Sequence, residues 1–462
     1  MDASSTGAER LLFASPGHSV GRLARFGAAR SWVRRYERRW RPPGLAPGQR
    51  LEDPERRGML MFWLDGLFAN ISESFVGPYL SLYLLALGAT GGQVGLLSAA
   101  TGLLGTLMFL PGARLAERSP NYRGLVVATS LVARSMLLFL LLVPWVLGGQ
   151  VAIAAVILLA ALRTAASQLG VPAWTALSAL IVRPSLRGRY FASRTFAMSL
   201  AALVVVPLAG RLINAFGAPR GYQVSFGLAL AAGLVSSLAY SRIPLPRAQA
   251  APATRPRLPL GELVAAVRRQ PAFLRLCLTT MLLNLGVQVV APYFNVYMAR
   301  SMGMTAGLIG LMTTVSTTFD LVGQRFFGPF VDRHGLRRTI ALTSPLIACL
   351  PFAWLFVRAP WHIVPINVVG GFAWAGYNLA VFNYLLASTP DDRRPLYSAI
   401  YNTLNGLTTV VGPLVGALLF DAWGFSVCLV ASFVGRGVAA VLIILLLGEA
   451  GYRAVRPAKG AA

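Results

Sequence analysis

Acidic side chains are scarce in this chain: 16 Asp and Glu in 462 residues, against 42 Lys and Arg, for a formal net charge of +26. Charged residues of both signs reach only 13%, where a soluble globular domain carries about 25%. An ordinary water-facing surface is therefore excluded. Cysteine is nearly missing too. Cys277, Cys349 and Cys428 lie in or beside apolar runs, with no metal-ligand spacing and no disulfide framework, and read as small apolar residues. There is no nucleophile elbow, phosphate-binding loop or His/Cys cluster, so the sequence predicts no enzyme, no cofactor and no metal. A secretory signal is also lacking. The first 57 residues hold twelve arginines and no apolar segment longer than a few residues, and are expected to stay in the cytoplasm.

Apolar residues are what the chain has, at 56%. Runs long enough to cross a bilayer recur near 59–87, 93–112, 124–148, 151–182, 195–215, 223–241, 276–298, 306–327, 339–356, 363–387, 399–419 and 424–448. A span needs about 20 apolar residues, and only a helix satisfies its own backbone in hydrocarbon. The pattern predicts an all-α membrane protein with twelve transmembrane helices.

The excess positive charge could suggest nucleic acid as a partner, but its placement points elsewhere. With the N-terminus inside, the cytoplasmic segments hold 34 of the 42 Lys and Arg. Outer loops hold three (Arg220, Arg300, Arg358), and five fall within spans (Arg134, Arg163, Arg211, Arg325, Arg436). Cationic loops resist translocation, so both termini are expected in the cytoplasm of a multi-pass cell-membrane protein. Anionic lipid headgroups are the partners of these loops, and no nucleic acid is expected. The stretch 30–40, "RSWVRRYERRW", leaves two readings open: an interfacial helix on anionic lipid or a basic arm without fixed structure. Arg134 and Arg436, on the third and twelfth spans, are expected to reach lipid headgroups rather than a substrate.

An internal repeat organises the chain. "GPYLSLYLLALGAT" (77–90) parallels "APYFNVYMARSMGMT" (291–305), placing Pro78, Tyr79 and Tyr83 on Pro292, Tyr293 and Tyr297, and Gly95 on Gly310. Further along, Gly170, Pro184, Arg187, Pro207 and Gly210 fall on Gly376, Pro390, Arg393, Pro413 and Gly416. The expected organisation is a basic tail (1–57), a six-helix half (58–245), a Pro- and Arg-rich linker (246–274), a second six-helix half (275–449) and a short tail (450–462), the halves related by pseudo-two-fold symmetry.

Two parallel six-span halves joined by a basic linker resemble the major facilitator superfamily. "GPFVDRHGLRR" (328–338) is similar to that family's loop signature, Gly-x-x-x-Asp-Arg-x-Gly-x-Arg-Arg, at Gly328, Asp332, Arg333, Gly335, Arg337 and Arg338. The first-half copy, "ARLAERSPNYR" (113–123), keeps Arg118 but has Ala113 and Glu117 for the glycine and aspartate. The resemblance implies a gating loop whose charges hold one of two alternating states closed. Gly328 would let two helices approach, and Asp332 would sit near a neighbouring helix N-terminus. The alternative is a plain topogenic loop.

Two carboxylates interrupt the first span, in "WLDGLFANISESF" (63–75). Glu73 lies eight residues after Asp65, about 80° around a helix, with Asn70 in the same arc. A charge facing lipid near midplane costs at least about 2.5 kcal/mol, so this face is expected to look inward. A carboxylate withdrawn from water binds its proton more readily, and a group that gains and loses a proton as a cavity alternates can couple protons to transport. Glu73, at the centre of its span, is expected to be the most desolvated and so to lead Asp65 and Asp320. A structural pair with an arginine is the alternative, and Arg163 is the natural partner. Leu159 and Arg163 are similar to the fourth-helix motif of the drug:proton antiporter group, which implies a role for the arginine in proton transfer. That group's fifth-helix Gly-Pro motif lacks its first glycine here ("VVVPLAG", 204–210), and a fuller copy, "GPLVG", stands at 412–416.

Asp320 on the eighth span is a second coupling site or a substrate contact, or else a partner for Arg325 that holds the inner end shut. Asn70, Gln168, Asn284, Gln288, Trp374, Tyr377, Asn378, Asn383, Tyr401 and Asn405 are the candidate lining of a cavity for an amphipathic molecule, or else packing residues that hydrogen-bond between helices. The function expected is proton-coupled transport of a small organic molecule by a monomer, by alternating access and in the export direction. Proton-driven uptake of a polar metabolite such as a sugar, or a membrane scaffold or receptor, are the other readings.

Overall fold

The structure is a computed structural model that describes residues 52–119, 121–183, 186–244, 268–389 and 394–447. Residues 1–51 of the basic tail, 245–267 of the linker and the tail from 448 lie outside the described residues, as do Pro184, Pro390 and Arg393 of the repeat.

Among the described residues, ten helices are long and apolar enough to cross a bilayer. The broken first span and the 19-residue Leu336–Trp354 complete a set of twelve. The first span runs Asp53–Val76, turns through Gly77–Tyr79 and resumes at Leu80–Ala86. The seventh repeats the design: Pro271–Val290, then Tyr293–Val296 and a wide turn at Tyr297–Ser301. Pro78 and Pro292 stand at the two breaks. A proline ring blocks the i−4 carbonyl and offers no N–H, so the helix yields there. The others are Gly91–Arg118, Tyr122–Val146, Gly149–Ile181, Arg187–Phe216 and Arg220–Ser241 in the first half. In the second they are Ala306–His334, Leu336–Trp354, Ile363–Ala387, Arg394–Trp423 and Phe425–Leu446.

Local signals repeat with the same offset. Thr90 caps the second span in a capping box with Gln93, and Thr305 caps the eighth by accepting from the Leu308 N–H. Gly217 and Gly424, with φ of 68° and 80°, end the fifth and eleventh spans in a left-handed conformation that side chains resist. Several helices outrun the expected spans. The fifth begins at Arg187 rather than 195, and the eighth ends at His334 rather than 327. Hydropathy stops where charge begins, but a helix continues while its backbone bonds are made.

Packing divides the molecule. In the first half, span two packs on four, one on six, and three on four and six; in the second, eight packs on ten, seven on eleven and twelve, and nine on ten. The halves meet along spans two and eleven, and spans five and eight. At the end carrying loops 87–90 and 302–305, one buried core runs across both halves, from Tyr79 and Phe226 to Tyr293 and Ile309. At the opposite end, where the described chain begins, the cores separate: one around Met59, Phe62 and Tyr190, the other around Phe273, Tyr384 and Tyr397. The halves are therefore closed at one end only.

Candidate functional site: a central cavity with a charged wall

Two pseudo-symmetric seams make the closed end. Tyr79 donates to the Val206 carbonyl at 2.6 Å, and Tyr293 donates to the Pro413 carbonyl at 2.9 Å. Each hydroxyl also fills the space over a glycine of the other half. A Cβ on Gly310 would lie 2.1 Å from the Tyr79 hydroxyl, and one on Gly95 would lie 2.1 Å from that of Tyr293. Tyr79 and Gly95 are the repeat counterparts of Tyr293 and Gly310, so the clasp is built twice. Asn295 adds a bond to Ser81 across the halves at 2.9 Å.

Beyond the seams opens a cavity of about 840 Å³, lined by both halves. Glu73 and Arg163 form an ion pair on its wall. Ser98, Thr101, Gln168, Gln288, Asn402 and Thr403 give the rest a largely hydroxyl and amide character. Glu73 precedes the break at Gly77, where the helix gives way to the cavity. Its carboxylate is 56% exposed while the Arg163 side chain is 10% exposed. The cation is held within the half and the anion reaches out to water.

Asp65 lies elsewhere. Its side chain, 11% exposed, stands 3.5 Å from the Arg194 guanidinium and accepts from the Ser236 hydroxyl at 2.7 Å. Arg194 also donates to the Phe62 carbonyl at 3.2 Å and stacks over Phe62 and Trp174, 4.7 and 5.5 Å from the ring centroids. Gly66 makes room for that guanidinium. The two carboxylates thus do not share an environment. Asp65 is locked among spans one, five and six, and Glu73 faces the cavity. The expectation that Glu73 is the most desolvated is corrected. The centre of a span is its driest point only when no aqueous cavity reaches it.

Other candidates are redistributed. Gln168 and Gln288 line the central cavity, and Trp374 lines a second cavity inside the C-terminal half. Asn70, Asn284, Tyr377, Asn378, Asn383, Tyr401 and Asn405 line neither. Asn284 donates to Asn405 at 2.5 Å, tying spans seven and eleven. Asn383 bonds back to the Leu379 carbonyl, and Tyr377 is buried in the C-terminal core. Polar groups here serve helix packing, because an amide inside a bundle takes the nearest backbone or amide partner. Asp320 is held by Gln324 at 2.8 Å on its own helix and borders neither cavity. No ion pair joins it to Arg325 among the described residues.

The 328–338 loop, expected to gate, is at the open end. Asp332, Arg333, Arg337 and Arg338 are exposed, as are Glu117 and Arg118. Gly335 makes the turn with φ 85°. Gly328 does not bring helices together: a Cβ there would meet nothing within 4 Å. The reason is that Gly328 lies at the open end, where the neighbouring helices stand apart. Arg134 and Arg436 do not reach headgroups either. Arg134 donates to Ser72 at 3.2 Å and packs against Gly233, and Arg436 is only 4% exposed. Arg194 lies one residue before the expected fifth span (195–215), where hydropathy does not single it out; the sequence signal for it is Asp65, a carboxylate needing a cation within its own half.

Known proteins share the design. The profile of the Major Facilitator Superfamily matches residues 62–287 and again 276–461. The multidrug resistance protein MdtG of Serratia proteamaculans is 24% identical over 393 residues, covering 82% of this chain and 91% of its own length. The multi-drug resistance efflux pump PmrA homolog of Lactococcus lactis is 24% identical, over 79% of this chain and 88% of its own. A Na(+), Li(+), K(+)/H(+) antiporter of Planococcus maritimus is 29% identical over 36% of this chain and 38% of its own. Among solved structures, a bacterial homologue of the iron transporter ferroportin in the inward-facing state aligns with TM-score 0.69 at 16% identity, over 85% of this chain and 99% of its own.

Proposed function

The chain belongs to the major facilitator superfamily, and on that premise we propose that it is a proton-coupled exporter of small organic molecules working by alternating access. The family makes it a multi-pass membrane transporter rather than an enzyme. The observation that carries the finer reading is the Glu73–Arg163 pair on the cavity wall. A coupling carboxylate must meet water from the cavity in order to exchange its proton. Glu73 is so exposed, while Asp65 is enclosed and bound by Arg194 and Ser236. Protonation of Glu73 would free Arg163, change the charge of the wall and so bias which end closes. Asp65 is then a structural anion. Export is favoured by relatives named as a multi-drug resistance efflux pump homolog and a multidrug resistance protein, which match along most of the chain.

A second reading, uptake of a polar metabolite, has one observation in its favour. The cavity wall carries many hydroxyl and amide groups and a single aromatic ring, Phe109.

In this proposal both termini are cytoplasmic, so the closed end is the outer one. A cysteine placed at Arg255 should resist impermeant reagents applied to intact cells; efficient labelling would reverse the orientation. The coupling role is tested with Glu73→Gln in proteoliposomes, using a compound selected by thermal-shift screening of the purified protein. The variant should lose accumulation driven by a pH gradient and keep part of its exchange activity. Uphill transport with a normal pH profile would make Glu73 structural.

A further inference from the structure

The C-terminal half holds a second cavity, of about 310 Å³, between spans seven, eight, nine, ten and twelve. Its wall is mostly apolar and aromatic, with Phe294, Trp354 and Trp374 among its residues. Arg436 enters it from the twelfth span. This arginine is 4% exposed. It donates to the Ile347 carbonyl at 3.3 Å, and its Nε is enclosed without a hydrogen-bond partner among the described residues. No aspartate or glutamate lines the cavity, and no salt bridge reaches Arg436 among the described residues.

An enclosed guanidinium without an anion is costly, because burial removes its hydration and nothing returns the charge. In the N-terminal half the enclosed Arg194 has Asp65 and two aromatic rings. Arg436 has one carbonyl and an empty space of ligand size. Gly286 lets the backbone and Cγ of Arg436 pack closely against the seventh span.

We propose that this cavity is a binding site for a small amphipathic carboxylate, the anion paired with Arg436 and the apolar body seated among Phe294, Trp354 and Trp374. A guanidinium takes a carboxylate through two parallel N–H bonds, and aromatic walls suit an aryl or alkyl body. Ser316 supplies a hydroxyl on the opposite helix. The site is distinct from the central cavity but shares a wall with it. On the seventh span Gln288 and Asn295 face the central cavity, Val287 and Phe294 face this one, and Ala291 borders both. An occupant would thus press on the segment that breaks at Pro292, and would couple to the central site through that helix.

The test is binding to the full-length protein in detergent, so it is independent of the coupling role of Glu73. Melting temperature is followed with 3-phenylpropionate and with the uncharged 3-phenylpropionamide. The acid should raise the melting temperature saturably and the amide should not. Two variants separate binding from folding. Arg436→Gln removes the cation, and Ser316→Phe fills the cavity while leaving the cation in place; both should lose the shift. An acid effect no greater than that of the amide overturns the proposal, and so does a shift that survives Ser316→Phe. A parallel titration with decanoate distinguishes the source: a larger shift than with 3-phenylpropionate marks a fatty acid entering from the bilayer, and a smaller one marks an acid entering from water.

Discussion

Beyond the two exposed pairs at the start of its first span, the N-terminal half places an arginine on each carboxylate farther along it, Arg194 on Asp65 and Arg163 on Glu73. The C-terminal half, built on the same repeat, encloses Arg436 without an acid and leaves Asp320 with only an amide. Both halves use the same proline breaks, the same threonine caps and the same tyrosine clasp. They differ only in what is done with charge. The comparison teaches that helix packing and charge placement are separable: the repeat preserves the first while the second is free to specialise. It places the enclosed arginines with their acids in one half, and gives the other amides and an enclosed arginine with no acid beside it among the described residues.

The strongest way to break this comparison is Asp65→Asn. It strands the enclosed Arg194, and losing one member of a buried pair costs about 3–5 kcal/mol. Thermal unfolding in detergent should show it, and adding Arg194→Leu should recover most of the loss. Glu73→Gln also strands an arginine, Arg163, but the central cavity brings water to that pair, so its cost should be the smaller of the two. Equal destabilisation by the two single variants would mean that the two pairs are not different in kind.

The next effect concerns the clasp, where the halves should agree. Gly95→Ala and Gly310→Ala each push a methyl into a tyrosine hydroxyl of the other half. Overpacking of about 1–3 kcal/mol moves a two-state population by about 5- to 150-fold. Spin labels at Gly148 and Arg358, both exposed at the closed end, should then report a longer distance in both variants. A shift in only one would show that the seams are unequal.

Smaller changes follow from Tyr79→Phe and Tyr293→Phe. Each removes one hydroxyl-to-carbonyl bond, worth about 1 kcal/mol, while the ring still fills the seam. The same label pair should show a minor open population of similar size in both. The smallest effect should come from Asp332→Asn. Asp332 is exposed in this state and lies away from the central cavity, so equilibrium binding to this form should be little changed. Closure of that end should slow by an amount set by a helix-end charge, about 0.3–1 kcal/mol, as read by single-molecule interchange rates. A collapse of equilibrium binding with normal interchange would remove the gating role.

Sequence alone determined the membrane class, the twelve spans and the repeat, because each is written in local quantities. Apolar length sets a span, a proline sets a break, and a fixed offset pairs Tyr79 with Tyr293 and Gly95 with Gly310. It also singled out Glu73 and Arg163, since a carboxylate and a guanidinium inside hydrocarbon each require a partner. Tertiary structure decided everything that depends on which helix faces which. It gave Asp65 to Arg194 and Ser236, residues 129 and 171 positions away, and left Glu73 in water. It drew Asn284 and Asn405 into a bond between helices, and enclosed Arg436 behind the seventh span. The physical reason is that hydropathy and periodicity describe one helix at a time, whereas desolvation and pairing belong to the space between helices.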